Sequence, residues 1–570
     1  MGPLGLRAYL LVVGLIAAAA VGLSTPALRT GLQYDDWGVI AAHQLGWSYA
    51  RGGDPEFDRG ANVRARDLGY LPWFVDVDRR VAMLRPLGVA TVELDFTLFG
   101  PEGARWMHAH SLAWLVALVA ASAAALRRLS TSPLGALLGL GFYALDDAHG
   151  VAIAWISSRH LLMVATFGCL ALVAQDAATR SGWRYGRVAA AACVGLGLAC
   201  SEAGLAIAAQ LLAHAVCLAP GPPARRARDA AAWVLVVALW LAIWIAGDHG
   251  VRSVGDYVDP STEPGRFALR FVSRWVSQGT AKLGGLGGGT DLLPGAAPAW
   301  VRAALPLAAV VAIAPLVRAS PIHRFWALSF LLAGIPLAAA EPQPRLLVVS
   351  GLGASALLGS LVAGVVTTAR RELYPLALHR VAVTAIAASA AVTHGLLSPM
   401  LLTHTTRLWA VPRAELDLLA DVARDVRPTD ELVVVHAPDY TRGVGGLTMA
   451  FVKGHPLPRS LRILHAGADP VLVERLDERT LRLRAAGTFG GVIDWKLFRT
   501  RPCSRGEVVA LEGMTATLEE VDAGTGRPLV VRFAFARPID EATMQWKSWQ
   551  AGRYSPWAPP AIGESAWVRP

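Results

Sequence analysis

Charge is scarce in this chain of 570 residues, where Asp, Glu, Lys and Arg together make up only 17 %. A soluble chain dresses its surface with about a quarter charged residues. The shortage therefore excludes a wholly soluble protein, and with it a disordered chain or a coiled coil, both of which need more charge. Cysteine is also rare. Of the five present, Cys169, Cys193, Cys200 and Cys217 lie in apolar stretches, which leaves Cys503 alone in a polar region. A disulfide scaffold is excluded, and no structural disulfide is expected in the polar part. Asn62 is the sole asparagine, and Val63-Arg64 follows it, so the chain has no glycosylation sequon. Arginine far outnumbers lysine while Ala and Gly abound, a composition that points to a high-GC bacterial gene.

Apolar residues fill the space left by charge. They form 54 % of the chain, and the mean hydropathy is +0.42. This is the composition of an integral membrane protein. A basic surplus of +10 is then read as topology, because Lys and Arg accumulate on cytoplasmic loops, and nucleic acid is not an expected partner.

A bilayer core of about 30 Å takes roughly 20 apolar residues per helix. That length predicts eleven spans, at 7–28, 105–126, 134–150, 160–178, 188–201, 202–219, 230–248, 300–318, 324–340, 346–369 and 381–402. The run 188–219 is divided at Glu202 because it is too long for one span. Segments 127–133, 179–187, 220–229, 319–323 and 370–380, with their bordering residues, hold thirteen arginines, against only Arg159 and Arg345 on the opposite short turns. The N-terminus is thus expected in the cytoplasm and residues 403–570 outside it, in a bacterial inner membrane. Ala17–Ala20 followed by Ser24–Ala27 also fits a signal-peptide cleavage region, whereas the apolar length after Arg7 fits a retained first helix.

The expected organisation is an α-helical polytopic membrane domain over 1–402, with outer loops 29–104 and 249–299, and a periplasmic α+β domain over 403–570. Val81–Phe99 and Arg266–Leu283 mix apolar and charged residues and predict helices lying in the interface. Gly284–Gly289 lacks the Lys-Ser/Thr end of a phosphate loop and reads as a turn. In the tail, Glu415–Val426 has helical periodicity, Glu431–His436 and Leu529–Ala536 read as strands, and Asp522–Gly526 as a turn. No catalytic motif and no repeat of solenoid length appears there.

The residues able to carry chemistry gather on the outer side. Asp35-Asp36 follows the first span; neighbours on a helix diverge by about 100°, so one carboxylate faces a site while the other caps or pairs. The alternative is a solvated acidic turn. Asp146, Asp147, His149 and Arg159 are either a structural ion cluster or a site lining, since ionisable groups at this depth pair or do work. Glu202 reads as a helix-starting carboxylate or a lining residue. Arg345, in Glu341-Pro-Gln-Pro-Arg345, either binds an anionic headgroup or snorkels to lipid phosphate. Carboxylates beside guanidinium groups suit transfer from a lipid phosphate: the carboxylate takes a proton from an incoming hydroxyl, and the cations hold the departing phosphate.

Several pieces occur in a familiar order: Tyr34-Asp35-Asp36; Arg85-Pro86-Leu87 leading to Leu98-Phe99-Gly100; His108; Ala154-Trp155-Ile156-Ser157-Ser158-Arg159; Ser201-Glu202; and Glu341 to Arg345. Over residues 1 to about 400 the chain resembles the GT-C class of polytopic glycosyltransferases, in particular the protein O-mannosyltransferases and the transmembrane O-mannosyltransferases that carry tetratricopeptide repeats. The resemblance implies a membrane glycosyltransferase that moves a sugar from a polyprenyl-phosphate donor to an envelope glycan, lipid or protein at the periplasmic face. It implies Asp35 or Asp36 as catalytic base, with Asp35 preferred, and Arg159, Arg345 and His149 as donor-phosphate ligands. Asp146, Asp147, Glu202 and Arg85 would line the site, and the need for a divalent metal is left open. The chain departs from the repeat-bearing enzymes at Asp146-Asp147, where they show His-Pro, at Val151 and Leu161, where they show acids, and at Ser201, where they show lysine. Its tail carries no tetratricopeptide repeats.

Two other classes compete. A secondary transporter shows repeated halves with broken helices meeting at mid-membrane, a pairing not found here. A non-catalytic envelope assembly protein would use 403–570 as its binding module and tolerate loss of both Asp35 and Asp36.

Overall fold

The computed structural model describes residues 5–33, 35–45, 59–284, 299–367, 374, 377–408 and 413–569. Tyr34, the glycines of the Gly284–Gly289 turn after Gly284, and Arg370 and Arg371 lie outside these. The chain divides into two compact units. One comprises Met1–Gln33, Met83–His249 and Pro260–Ala410; the other comprises Tyr34–Ala82, Gly250–Asp259 and Val411–Pro570.

The first unit is helical and apolar. Among the described residues, five of its helical stretches are long and apolar enough to cross a membrane: Leu6–Arg29, Pro101–Arg128, Ile156–Arg180, Pro223–Ala246 and His379–Arg407. The bent pair Pro344–Ser350 and Leu352–Val366 makes a sixth when counted as one span, and five shorter apolar helices stand at the remaining expected positions. This is a multi-pass membrane protein. Helix 188–219 does break beside Glu202, into Gly186–Cys200, a 3-10 turn Glu202–Gly204 and Leu205–Cys217. The two halves pack closely there because Gly197 and Gly204 face each other; a Cβ on Gly204 would lie 2.6 Å from the Gly197 carbonyl carbon.

Two expectations change in shape. The tenth span is not one straight helix but bends by 75° at Gly351, where a Cβ would meet the Leu347 carbonyl at 2.5 Å. The helix expected at Arg266–Leu283 is Pro264–Gly284, yet it turns Arg274 and Lys282 inward and leaves Leu269, Val272 and Val276 exposed. The helix at Val81–Phe99 starts at Pro86, and Pro at this first helical position forfeits no hydrogen bond. The last long helix contains a π-turn at Thr393–Leu397.

The second unit is built on β-structure. Its strands are β1 (Arg80–Ala82), β2 (Gly250–Arg252), β3 (Glu431–Ala437), β4 (Ser460–Ala466), β5 (Val471–Arg475), β6 (Thr480–Ala485), β7 (Val508–Leu511), β8 (Met514–Val521), β9 (Pro528–Phe535), β10 (Met544–Gln550), β11 (Arg553–Pro556) and β12 (Ser565–Val568). β1 and β2 pair antiparallel. A four-stranded sheet runs β11-β10-β3-β4, and a six-stranded sheet runs β12-β5-β6-β9-β8-β7. β3 lies parallel to both β10 and β4, and helix Tyr440–Val452 follows it, while every pair in the larger sheet is antiparallel. β3, β9 and the turn before β9 fall where the alternation of the sequence puts them.

Residues 34–82 belong to this unit rather than forming a loop of the helical one. Trp73 and Phe74 are buried in its core: Phe74 stacks on Trp495 with centroids 4.3 Å apart, and Trp73 meets Phe533 edge-on at 5.4 Å. The sole asparagine closes the segment, its amide donating to the Val77 and Arg79 carbonyls at 3.0 and 2.9 Å. Aromatic burial of this kind contributes roughly 3–5 kcal/mol per side chain, ample to bind a short segment to the sheets.

Candidate functional site

Within the helical unit, charged side chains from distant parts of the chain meet near the start of helix His160–Arg180. Arg85 sits at the N-cap of helix Pro86–Phe99. Glu202 holds it there, one carboxylate oxygen accepting from Arg85 Nε at 2.9 Å and the other from the Leu84 amide at 2.6 Å. The approach is close because residue 88 is glycine: a Cβ would stand 2.6 Å from the Cys200 carbonyl and 3.2 Å from His160 Cβ. Glu202 is thus the acceptor that fixes Arg85, more than a helix-starting charge.

Arg345 arrives from the 3-10 turn Pro344–Leu346. Its guanidinium donates to Ser158 Oγ at 2.6 Å and lies over the Trp155 ring, 4.3 Å from the centroid. His160 donates through Nδ1 to the Ser157 carbonyl at 2.6 Å, and its Cβ borders Gly88 on the helix that Arg85 caps. Arg85 and Arg345 are only half-buried. Two guanidinium groups, one of them paired with Glu202, are thus held near this histidine, and each offers planar N–H donors of the kind that form charge-assisted hydrogen bonds to an anion.

Arg159 faces the other way. It is fully buried, with Nε donating to Ser111 Oγ at 2.9 Å, Nη2 to the Met107 carbonyl at 2.6 Å, and Nη1 paired with Asp95 at 2.6 Å. His110 completes this group. Trp114 Nε1 donates to His110 Nε2 at 3.1 Å, so the imidazole proton is on Nδ1 and is given to Asp95 at 2.8 Å. Arg159 thus bonds Ser111, Met107 and Asp95 of the protein, as a structural ion pair would.

Asp146 and Asp147 open helix Ala148–Ala154. Asp146 is bonded to the Lys282 ammonium and caps the Ala148 amide at 3.0 Å, with His394 at 3.9 Å; Asp147 accepts from Ser398 Oγ at 2.7 Å. His149 packs edge-on against Tyr143 at 5.0 Å, and its Nδ1 lies 3.2 Å from the Asp146 carbonyl. Asp146 is thus in a buried ion pair with Lys282, and Asp147 and His149 are buried beside it against Ser398 and Tyr143.

The acidic pair lies in the second unit, at the start of helix Asp36–Gln44. Asp35 is the exposed N-cap and Asp36 is buried. The neighbouring Trp37 is covered by Lys453, whose ammonium is 5.9 Å from the ring centroid. Of the expected site residues, the structure therefore brings Glu202 to Arg85, joins Arg345 to the 155–159 turn, and gathers Asp146, Asp147 and His149 separately. Sequence reasoning missed Asp95, His110, His160, Lys282 and His394. His160 and His394 carried a usable signal, since an ionisable residue inside an apolar span marks a site by default. Among the described residues, no three His, Cys, Asp or Glu side chains gather as a metal site.

No family model and no curated protein matches this sequence. Solved structures do show likeness. ArnT from Cupriavidus metallidurans bound to undecaprenyl phosphate is 12 % identical with a TM-score of 0.39, over 81 % of this chain and 90 % of that one. The oligosaccharyltransferase AglB from Archaeoglobus fulgidus, in complex with an inhibitory peptide and a dolichol-phosphate, is 14 % identical with a TM-score of 0.45, over 80 % of this chain and 64 % of that one. The arabinofuranosyltransferase AftD from Mycobacteria is 15 % identical with a TM-score of 0.39, over 94 % of this chain and 40 % of that one. The chain spans less than two thirds of the latter two, and at scores below 0.5 these likenesses carry no argument about its site or activity.

Proposed function

We propose that this protein is a membrane glycosyltransferase of GT-C kind that takes its sugar from a polyprenyl-phosphate donor, in a bacterial inner membrane with its donor site at the periplasmic face. The observation that carries the reading is that Arg85, which caps the helix packed on His160 through Gly88, and Arg345, bonded to Ser158, are brought to the same turn. Arg85 is paired with Glu202 and Arg345 is held by Ser158 and Trp155, yet charged groups kept inside a helical membrane unit still call for a functional reason, since apolar residues of similar volume would serve packing as well. A phosphate ester at a lipid headgroup supplies that reason: its oxygens match the planar fork of each guanidinium, and its hydrocarbon tail belongs in the bilayer. In a transfer reaction the phosphate leaves with a growing negative charge, which fixed cations stabilise without reorganising.

Within this reading Arg85 and Arg345 hold the donor phosphate, Glu202 fixes Arg85, and Trp155 and Ser158 fix Arg345. Arg159 supports the same turn from beneath through Asp95 and Ser111. Asp35 keeps the base role that the resemblance gives to the first acid of the pair, and its exposure suits a group that must meet an acceptor hydroxyl. The acceptor is an envelope glycan, lipid or protein.

The test compares undecaprenyl phosphate with undecaprenol, the same tail without the phosphate, as ligands of the purified full chain in lipid nanodiscs. The wild-type protein should bind the phosphate form more tightly, and Arg85→Lys and Arg345→Lys should each reduce that preference by about tenfold, the equivalent of one charge-assisted hydrogen bond. Equal affinity of the wild-type protein for the two lipids would refute the reading.

A further inference from the structure

Helix Pro264–Gly284 contributes no residue to the phosphate site proposed above, and it is built in an unusual way. Arg274, Gln278 and Lys282 stand at successive i, i+4 positions, hence on one face, and they are 4, 5 and 2 % exposed, whereas Leu269 is 84 % exposed and Val272 61 %. A helix that turns its cations inward survives only if those charges are paired.

Both cations have partners. Arg274 donates to the Ala338 and Ala339 carbonyls at 3.1 and 2.7 Å and to Glu341 at 3.1 Å. Lys282 is bonded to Asp146, and its stem lies against Gly351, where a Cβ would come within 3.3 Å of Lys282 Cε. Between them Trp275 rests on Gly334, where a Cβ would approach the indole to 2.7 Å, and Trp275 Nε1 donates to the Leu331 carbonyl at 3.2 Å. Two of these contacts fall on the segment that carries Arg345 and one on the stretch that Arg345 bonds. Glu341 precedes it by four residues, Gly351 is the bend that follows it, and Asp146 begins the stretch ending in Ser158, which accepts from Arg345.

We infer that Arg274 and Lys282 are positioning residues for the phosphate cradle: helix Pro264–Gly284 clamps the Glu341–Gly351 turn at both ends and so fixes where the Arg345 guanidinium points. This rests on the polyprenyl-phosphate reading and adds an element to it. The physical need is clear from the turn itself. Pro342 and Pro344 lack amide donors, so the backbone there cannot be held by its own hydrogen bonds at those positions. A long arginine side chain loses much rotamer freedom on gripping a ligand, and a turn fixed beforehand reduces that loss.

The experiment uses the full chain in nanodiscs and the same pair of lipids. Glu341→Ala removes the side-chain acceptor of Arg274 and leaves it the Ala338 and Ala339 carbonyls. Lys282→Met alone leaves Asp146 buried and unpaired, so the paired variant Lys282→Met/Asp146→Asn, which removes both charges at similar volume, guards against misfolding. If the helix positions the cradle, the preference for undecaprenyl phosphate over undecaprenol falls by about tenfold in both variants, while undecaprenol affinity holds at the wild-type value. A preference equal to wild type in both overturns the inference and leaves the donor reading standing. Parallel loss of affinity for both lipids also overturns it, because that is general damage to the fold. A wild-type protein with no preference fails the donor reading itself.

Discussion

Asp35 and Asp36 are neighbours with opposite surroundings, and their variants should part accordingly. Asp35 is exposed at the N-cap, so Asp35→Asn should keep the fold and lower sugar transfer by membranes about 10²- to 10⁴-fold, the usual effect of losing a general base. Asp36 is buried, and Asp36→Asn should instead lower thermal stability by about 1–3 kcal/mol, the range for disturbing a buried polar group. Full transfer by Asp35→Asn would remove it as base. The two outer arginines part in the same way. Arg159→Lys leaves the Ser111 hydroxyl and Met107 carbonyl without their donors and should reduce stability by about 1–3 kcal/mol, with lipid preference retained in the folded fraction. Arg345→Lys should do the reverse. A thermal melt beside the two-lipid binding measurement separates these outcomes. Sequence made the candidates visible but not their roles, because whether a guanidinium is free for a ligand depends on acceptors such as Asp95 that lie 64 positions away from Arg159 in the chain.

Elements were legible where one residue pattern fixes them and illegible where partners do. The apolar runs give the long apolar helices described in the first unit, and the pattern in Glu431–His436 and Leu529–Ala536 gives β3 and β9. The segment around Trp73-Phe74 is different. Nothing local says that two aromatics in an outer loop belong to a sheet core whose other members, such as Tyr440, Trp495 and Phe533, lie hundreds of residues on. Within those sheets, His436 on β3 and His465 on β4 are register partners, buried with ring centroids 5.3 Å apart. Burial, reinforced by the neighbouring His436, pushes the His465 ring down to about 3, and burial lowers His436 as well. The unfolded chain binds protons at these positions from about pH 6.5 downward while the folded sheet does not. Stability of the second unit should therefore be full above pH 6.5 and fall as pH drops toward 3, by up to about 1.4 kcal/mol per pH unit for His465, with His436 acting in the same direction. Tryptophan fluorescence of the full chain against pH should show this slope, and His465→Phe should flatten it. An unchanged slope in that variant would assign the acid sensitivity elsewhere.

At the scale of the whole molecule, the alternation of arginine-rich and arginine-poor turns predicts topology. A reporter fused after residue 403 should be active in the periplasm and one fused near Arg226 in the cytoplasm. A cytoplasmic signal after 403 would mean an even number of crossings, and the pair of short helices around Glu202 would be the first place to look. The chain's division into units was less legible than its spans, since the second unit draws residues 34–82 and 250–259 from between helices of the first, and contiguity in sequence is a poor guide to such assembly. The central claim is that the donor is a sugar on a polyprenyl phosphate, and the most direct measurement is the lipid profile of cells from which this chain has been deleted. A polyprenyl-phosphate sugar should accumulate, disappear when the wild-type chain is restored, and persist when Asp35→Asn is restored. An unchanged pool of polyprenyl-phosphate sugars in the deletion strain would contradict the account.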